Sequence, residues 1–531
     1  MKFRLTKLLL FAFALSTSSA ALAAPPPGFD RRVEHLRTEF GIPGVSIAIV
    51  ENGRTTLARG WGVRLLGAAD KVDADTIFAI GSTGKAFTTA ALSILVDQGK
   101  LGWDDKVIDH MPDFRMWDPW VTREMTVRDL LVHRSGLGLG AGDLLFVPNS
   151  DLSRKETVRR LRFIKPATSF RSGFAYDNML YMVAGQLIEE VSGETWETFV
   201  RGHILRPLGM DHAAVSDAEF AATANRGHPH SRSSDAIIGL GELKPVDESA
   251  TQAANSAPAG GGLANSAGDM THWLLTQLGH GKAPGVATRL YSEAQAEEMW
   301  KPVTIEPIAP KPPEFAVTQP NFDTYALGWD VRDYRGTKIV WHAGSGFGSV
   351  AIVALIPSKN VGLFIAINSE DWEMSGGLMH ELFDHYLGLP AGHWPEKIHA
   401  YRVARLGEAA KEVRAKLSNP ARVGPSLPLD RYAGDYADPW FGTIKVRRSG
   451  AGLEIQFPHS TGMSGPLTHY QYDTFRTNPA GWIEPAYVTF TLDANGKIAR
   501  VTMKPVSPAA DFSFDFQDLD FAPVAVAAAA P

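Results

Sequence analysis

The feature that most narrows the fold is the order in which strand and helix patterns follow one another along the 531 residues. Residues 44–50, apolar but for Ser46, read as a buried strand, Asn52-Gly53 supplies a two-residue turn, and residues 55–61 return as a second strand, so an antiparallel pair opens the fold. Helical spacing then takes over. Phe87, Ala90, Ala91, Ile94 and Leu95 share one face, with Gly99 placed to end it. Helical signals recur over 127–131, 156–161, 178–191 (followed by Gly193) and, after Gly260-Gly261-Gly262-Leu263, over 270–278. Strand patterns come back at 325–331, 338–342, 349–355 and 361–368. Strands, then helices, then strands describe a mixed α/β layer with a helical insertion. Residues 301–320 are rich in proline and aperiodic, and read as a long surface loop.

A second unit begins near Leu427. Short strands are expected over 443–446, 453–457, 487–492 and 498–503, with a turn at 493–496. Phe512, Phe514 and Phe516 alternate with polar residues, the pattern of a half-buried strand. The unit reads as a small all-β domain of sandwich or barrel type. Residues 394–417 have the composition of a charged helix and precede a linker containing proline and glycine. The expected organisation is a processing segment 1–23, a first domain 28–390, a helical linker 391–426, a β domain 427–521 and a disordered alanine-rich tail 522–531.

The processing segment carries Lys2, Arg4 and Lys7, a short apolar stretch over 8–15, and Ala21-Leu22-Ala23 as a cleavage site. That stretch is shorter than the ~20 residues a bilayer crossing needs, so no span is expected in the mature chain. The expected location is the periplasm or outside the cell. No cysteine occurs, which excludes structural disulfides, thiol catalysis and lipid attachment at cysteine. The net charge of -6 and the lack of a basic block argue against nucleic acid as a partner. Nothing in the sequence reports an oligomeric state.

Chemistry enters at Ser82-Thr83-Gly84-Lys85, where a hydroxyl and an amine three residues apart stack on one helical face. Serine needs a nearby base to become a nucleophile. Lysine titrates near pH ~10.4 and serves as that base only where burial or positive potential lowers the value. A helix N-terminus supplies such potential and also free N–H groups for an oxyanion. Tyr176-Asp177-Asn178 lies just ahead of an amphipathic helix. The tyrosine can relay protons as phenol or phenolate, and the asparagine can hold a substrate amide. Trp341-His342-Ala343-Gly344-Ser345 lies on a late strand. There His342 would line the pocket and orient substrate or Tyr176, Gly344 would let substrate backbone approach, and the Ser345 N–H would be a second oxyanion donor. His228-Pro229-His230 is the best metal-like fragment, yet no His-x-His-x-Asp or His-Glu-x-x-His accompanies it, so it reads as a polar loop. Gly-x-Ser-x-Gly and the phosphate-binding Gly-x-x-x-x-Gly-Lys-Ser/Thr are absent, and no metal or cofactor is expected.

In this order the three motifs resemble those of the β-lactamase and penicillin-binding-protein superfamily, and most its class C β-lactamase, D-aminopeptidase and esterase branch. Residues 126–136, 258–263 and 325–329 resemble framework segments of the family, and the likeness runs from Arg31 to Leu389. The second unit, with Tyr432-Ala433-Gly434-Asp435-Tyr436, resembles the lipocalin-like domain appended to such hydrolases. The resemblance implies an antiparallel sheet flanked by helices with a helical subdomain, plus a C-terminal barrel-like domain. It implies Ser82 as acylated nucleophile, Lys85 as its base, Tyr176 sharing proton transfer, and the Ser82 and Ser345 N–H groups as oxyanion hole. Which of Lys85 and Tyr176 takes the first proton stays open.

One departure bears on substrate. The third motif is His342-Ala343-Gly344, where other branches carry Lys-Thr-Gly. Histidine is largely neutral at pH 7, which moves the expected substrate from β-lactams toward a small peptide, amide or ester. Members of this kind include peptidases acting on short or linearised peptides, opened microcystin among them, although no motif here reads that substrate. The alternatives are a carboxylesterase of the same fold and a non-catalytic peptide- or cell-wall-binding protein. The last would be expected to lack Ser82, Lys85 or Tyr176, and all three are present.

Overall fold

The computed structural model describes residues 25–524 apart from 251, 252, 254, 283, 284, 287, 288, 419, 421, 422 and 480–482; the processing segment and residues 525–531 of the tail lie outside the described residues. Eight strands form one antiparallel sheet in the order Arg54–Gly62, Gly44–Glu51, Val361–Ile367, Ser349–Ile356, Thr337–Gly346, Asp330–Tyr334, Asp323–Tyr325, Thr304–Ile305. The first hairpin thus meets the last strands in mid-sheet, with Ile47 opposite Ile365. Period-two alternation divides the Gly44–Glu51 strand between two cores. Val45, Ile47 and Ile49 pack with Phe29, Val33 and Leu378, whose helices (Phe29–Glu39 and Trp372–Leu387) cover one face. Ala48 and Val50 face a cluster containing Phe87 and Trp273, whose rings stack 4.0 Å apart. The helices Lys85–Asp97, Met179–Ser192 and Ala267–Leu278 make up this second layer, and the site forms at the N-terminal ends of the first two.

Three expectations are corrected. Residues 325–331 are a hairpin rather than one strand: Gly328 turns the chain at φ 78°, and the Ala326 N–H donates to Trp329 O at 2.8 Å. The supposed loop 301–320 gives the sheet its edge strand, Thr304–Ile305, and a 3-10 turn, Pro313–Thr318. Residues 512–516 are not a strand. Their alternation is overridden by aspartates that satisfy backbone donors in turns: Asp511 accepts from the Ser513 N–H at 2.9 Å, and the Phe514 N–H bonds back to Asp511 O at 3.0 Å.

The C-terminal unit is a closed eight-stranded antiparallel barrel. Gly434–Asp438 pairs with Asp520–Pro523 to complete it, which leaves no free edge and carries the last strand two residues beyond the expected 521. Tyr432, Phe475 and Phe490 meet edge to face inside, at 5.1–5.7 Å. The helix Trp394–Ser418 is packed rather than free: Arg402 reaches Asp371 and Glu373 at 3.3 and 3.4 Å. Its Leu406 and Val413 join Ile237 and the barrel's Tyr487 in one buried cluster. No helix among the described residues is long and apolar enough to cross a membrane.

Candidate active site

Gly81–Gly84 is a single 3-10 turn that runs straight into the helix Lys85–Asp97, so Ser82 and Lys85 project from one corner. Lys85 is fully buried, and its Nζ donates to Ser82 Oγ (2.9 Å), Asn178 Oδ1 (2.6 Å) and Ala259 O (3.0 Å). Burial is the leading influence on this ammonium and lowers its pKa from 10.5 to about 7, while Asp143, Asp177 and Asp330 pull it back upward. Three acceptors match the three N–H donors of an ammonium. A neutral amine has two donors and a lone pair. It can keep Asn178 Oδ1 and Ala259 O while its lone pair accepts the Ser82 O–H, so losing one proton reverses the Ser82 hydrogen bond without moving a heavy atom.

The strand Thr337–Gly346 runs against this turn. A Cβ on Gly344 would fall 2.0 Å from Ile80 O and 2.7 Å from Ser82 N. The close approach that Gly344 allows here is that of the nucleophile's own backbone. Gly81 (φ 50°) meets the strand from the other side, where a Cβ would lie 2.7 Å from both Ser345 N and Ser345 O. The Ser345 peptide thus faces the Ser82 corner.

Tyr176 presents its ring face to Lys85, with Nζ 4.8 Å from the centroid, and its hydroxyl bonds toward Ser82. Burial pushes this phenol well above its ordinary value of 10, so the phenolate form drops out near neutral pH. His342 does not orient Tyr176: their ring centroids are 6.3 Å apart, and its Nε2 bonds the Tyr325 hydroxyl at 2.8 Å. Its Nδ1 lies 2.5 Å from Ala343 O, which makes Nδ1 the donor and Nε2 the acceptor. Burial and the Lys85 charge take His342 down to about 3, so it is neutral, as expected. The ring against Tyr176 is instead His133, at 4.1 Å, whose Nδ1 accepts the Asp177 N–H at 3.2 Å.

Asn178 also departs from expectation. Its Oδ1 accepts from Lys85 and its Nδ2 donates to Asp143 Oδ2 at 2.9 Å, so both ends of the amide already serve the Lys85 pocket, with one N–H and one lone pair remaining. Asp143 was not legible as a site residue. It is fully buried, and burial raises its carboxyl to about 8.

Ser82, Tyr176, Gly344 and His342 open onto a cleft of about 820 Å³ that also touches Arg332 and, from the barrel, Phe512. Phe512 packs edge-on to Tyr176 at 5.9 Å. The metal-like histidines are engaged elsewhere: His228 bonds Glu248 at 2.8 Å, and both ring nitrogens of His230 are used, by Asn368 O and the Leu66 N–H. Glu381, His393 and Glu396 lie close enough together to hold an ion, but Arg32 already bridges the two carboxylates at 2.6 Å each.

Comparison with known proteins agrees with this arrangement. A β-lactamase family model matches residues 29–385, and a domain of unknown function matches 418–523. Unguisins hydrolase ungD from Aspergillus violaceofuscus is 29% identical over 491 residues, 85% of this chain and 82% of that protein. The octameric penicillin-binding protein homologue from Pyrococcus abyssi has the same fold, with a TM-score of 0.54 at 22% identity over 90% of this chain and 97% of that one. So does D-amino acid amidase from Ochrobactrum anthropi SV3, with a TM-score of 0.52 at 20% identity over 68% of this chain and 97% of that one. The family match spans more than half of the sequence and contains the whole Ser82 corner: the chain belongs to the β-lactamase family of serine hydrolases.

Proposed function

We propose that the protein is a secreted hydrolase that cleaves peptide or amide bonds of short or linearised peptides through an acyl-enzyme on Ser82. The observation that carries this reading is the 2.9 Å contact between Ser82 Oγ and a buried amine whose pKa lies at about 7. Neutral Lys85 takes the Ser82 proton as Oγ bonds to the substrate carbonyl carbon. The carbonyl oxygen becomes an oxyanion facing the Ser82 and Ser345 N–H groups. Tyr176, held as a phenol, passes its proton to the departing nitrogen and is reprotonated through Lys85. Water then attacks the acyl carbon, loses a proton to the same pair, and frees Ser82. This places Lys85 first and Tyr176 second in the order of proton transfer. Neutral His342 puts no cation at the position where other branches carry the lysine that suits a β-lactam carboxylate. A relative named as an unguisins hydrolase favours hydrolysis, and a same-fold D-amino acid amidase favours amide chemistry. The motif over 2–23 favours export.

A fluorophosphonate probe followed by peptide mapping tests the nucleophile: an adduct on Ser82 is expected, and folded protein without one overturns the reading. The second reading, a carboxylesterase, uses the same tetrahedral geometry without needing protonation of a nitrogen. Rates on short peptide amides and p-nitrophenyl esters separate the two, and turnover of esters alone reverses the ranking. N-terminal sequencing of the periplasmic fraction tests export, with a mature chain starting near Ala24 expected.

A further inference from the structure

We infer that the barrel segment around Ser513 and Asp515 is part of the base-positioning apparatus of the hydrolase: Ser513 and Asp143 are positioning residues that hold Asn178, and through it Lys85, in working orientation. This rests on the reading of Lys85 as the base for Ser82.

The chain of contacts is continuous. Ser513 Oγ donates to Asp143 Oδ2 (2.8 Å), Asn178 Nδ2 donates to the same oxygen (2.9 Å), and Asn178 Oδ1 accepts from Lys85 Nζ (2.6 Å). A primary amide has nearly the same shape when its oxygen and nitrogen exchange places, so packing alone does not decide which end faces the lysine. Asp143 decides it. An acceptor on the far side requires Nδ2 there and Oδ1 toward Lys85. The reversed amide would set N–H groups against the N–H groups of Lys85. Asp143 is itself held by the barrel twice. Ser513 fixes its side chain. Asp515 accepts the N–H groups of Gly142 (2.8 Å) and Leu144 (3.1 Å), which pins the turn on which Asp143 sits.

The arrangement is costly where a purely structural residue would not be. Asp143 Oδ1 is buried without a hydrogen-bond partner, and buried Asp515 stands beside a second acid. Replacing these acids by apolar side chains would remove the cost and also the orientation of Asn178. The charged and titratable groups around Lys85 are Asp143, Asp177, Asp330, His133, His342, Tyr176 and Tyr181; those around Asp143 are Lys85, Asp511 and Asp515. Ser513 is the neutral donor through which the barrel reaches this set. In its ionised form Asp143 is the neighbour that most favours the Lys85 ammonium, so weakening that charge should lower the pH at which Lys85 becomes a free base.

The test is the rate of Ser82 labelling by a fluorophosphonate as a function of pH, in the full-length protein and in its Ser513→Ala, Ser513→Thr and Asp143→Asn variants. Ser513→Ala is expected to lower the high-pH plateau about tenfold, the weight of one hydrogen bond to an ionised group. Its midpoint should move downward by up to roughly one pH unit. Ser513→Thr, which keeps the hydroxyl, should restore both, and Asp143→Asn should exceed Ser513→Ala in each. Near-UV circular dichroism reports folding, and if Asp143→Asn does not fold, the Ser513 pair decides. Wild-type plateau and midpoint in Ser513→Ala overturn the inference and leave the hydrolase reading standing. A loss that threonine does not restore overturns it too, by assigning the effect to packing. Absence of any Ser82 label in the wild type overturns the hydrolase reading itself.

Discussion

The two walls of the Lys85 pocket are built by opposite means. On one side Ser82 and Lys85 are three residues apart on a turn and a helix end, so helical geometry brings them together wherever the chain folds locally. On the other side Asn178, Asp143 and Ser513 are separated by 35 and 370 positions and come from a helix N-terminus, the 3-10 turn Asp143–Leu145 and the second domain. The local wall provides the reacting groups. The assembled wall provides burial and partners, and those set the protonation of the amine. A Ser-x-x-Lys turn in water would hold a lysine titrating near ~10.4, useless as a base at neutral pH. The contrast shows that a short motif can specify who reacts while leaving to the rest of the molecule whether reaction occurs.

The sharpest way to break this division is to remove one member of the local wall. Ser82→Ala should reduce turnover by roughly 10⁴-fold or more with the melting temperature nearly unchanged, as measured by initial rates and calorimetry on the same preparation. Lys85→Met keeps an unbranched side chain in the pocket and should cost ~10²–10⁴-fold in kcat. It should also change the pH dependence of stability. The folded value of about 7 lies below the unfolded 10.5, so the unfolded chain binds more protons between those limits. Wild-type stability therefore rises with pH across that window, and the penalty for burying the ammonium is complete below about pH 7, at most roughly 5 kcal/mol. Relative to wild type, Lys85→Met should stand highest near pH 6.5 and lose that advantage toward pH 10, as read by urea denaturation at both values.

Two smaller effects sharpen the comparison from the assembled side. Gly344→Ala would drive a methyl group into the Ile80 carbonyl and displace the Ser82 turn; a shift of about 1 Å there corresponds to ~10²-fold in kcat. A variant with unaltered kcat would show that the strand can yield. Phe512→Ala removes an edge-on aromatic partner of Tyr176 worth ~0.5–1.5 kcal/mol, so a two- to tenfold change, mainly in KM for peptide substrates, is expected from steady-state kinetics.

Much of the fold was legible because its signals are periodic and local. The opening hairpin, the helix after Ser82, the helix before Gly193 and four of the eight barrel strands follow apolar spacing that tertiary contacts reinforce. Residues 512–516 were misread because alternation scores only which side chains are apolar. It does not register that Asp511 and Asp515 spend their oxygens on backbone N–H groups and bend the chain toward Asp143. Ser82, Lys85 and Tyr176 were legible as a set. Asn178 was legible as a member of the site but not in its role, since an amide's partner depends on what lies beyond it. His342 was correctly read as neutral, yet its contact is Tyr325, and the ring beside Tyr176 is His133. Asp143 and Ser513 carried no signal at all, because an aspartate in a loop and a serine after a phenylalanine are ordinary until burial makes them costly.

The sequence by itself determined the strand–helix–strand order, a small all-β unit at the C-terminus and the pairing of a hydroxyl with an amine at Ser82 and Lys85, all of which follow from spacing along the chain. Only the tertiary structure decided that the amine is dry, that an asparagine bridges it to a buried acid, and that the barrel reaches back to hold that acid. Those properties depend on which surfaces exclude water together, and solvation is a property of the assembled interior rather than of neighbouring residues.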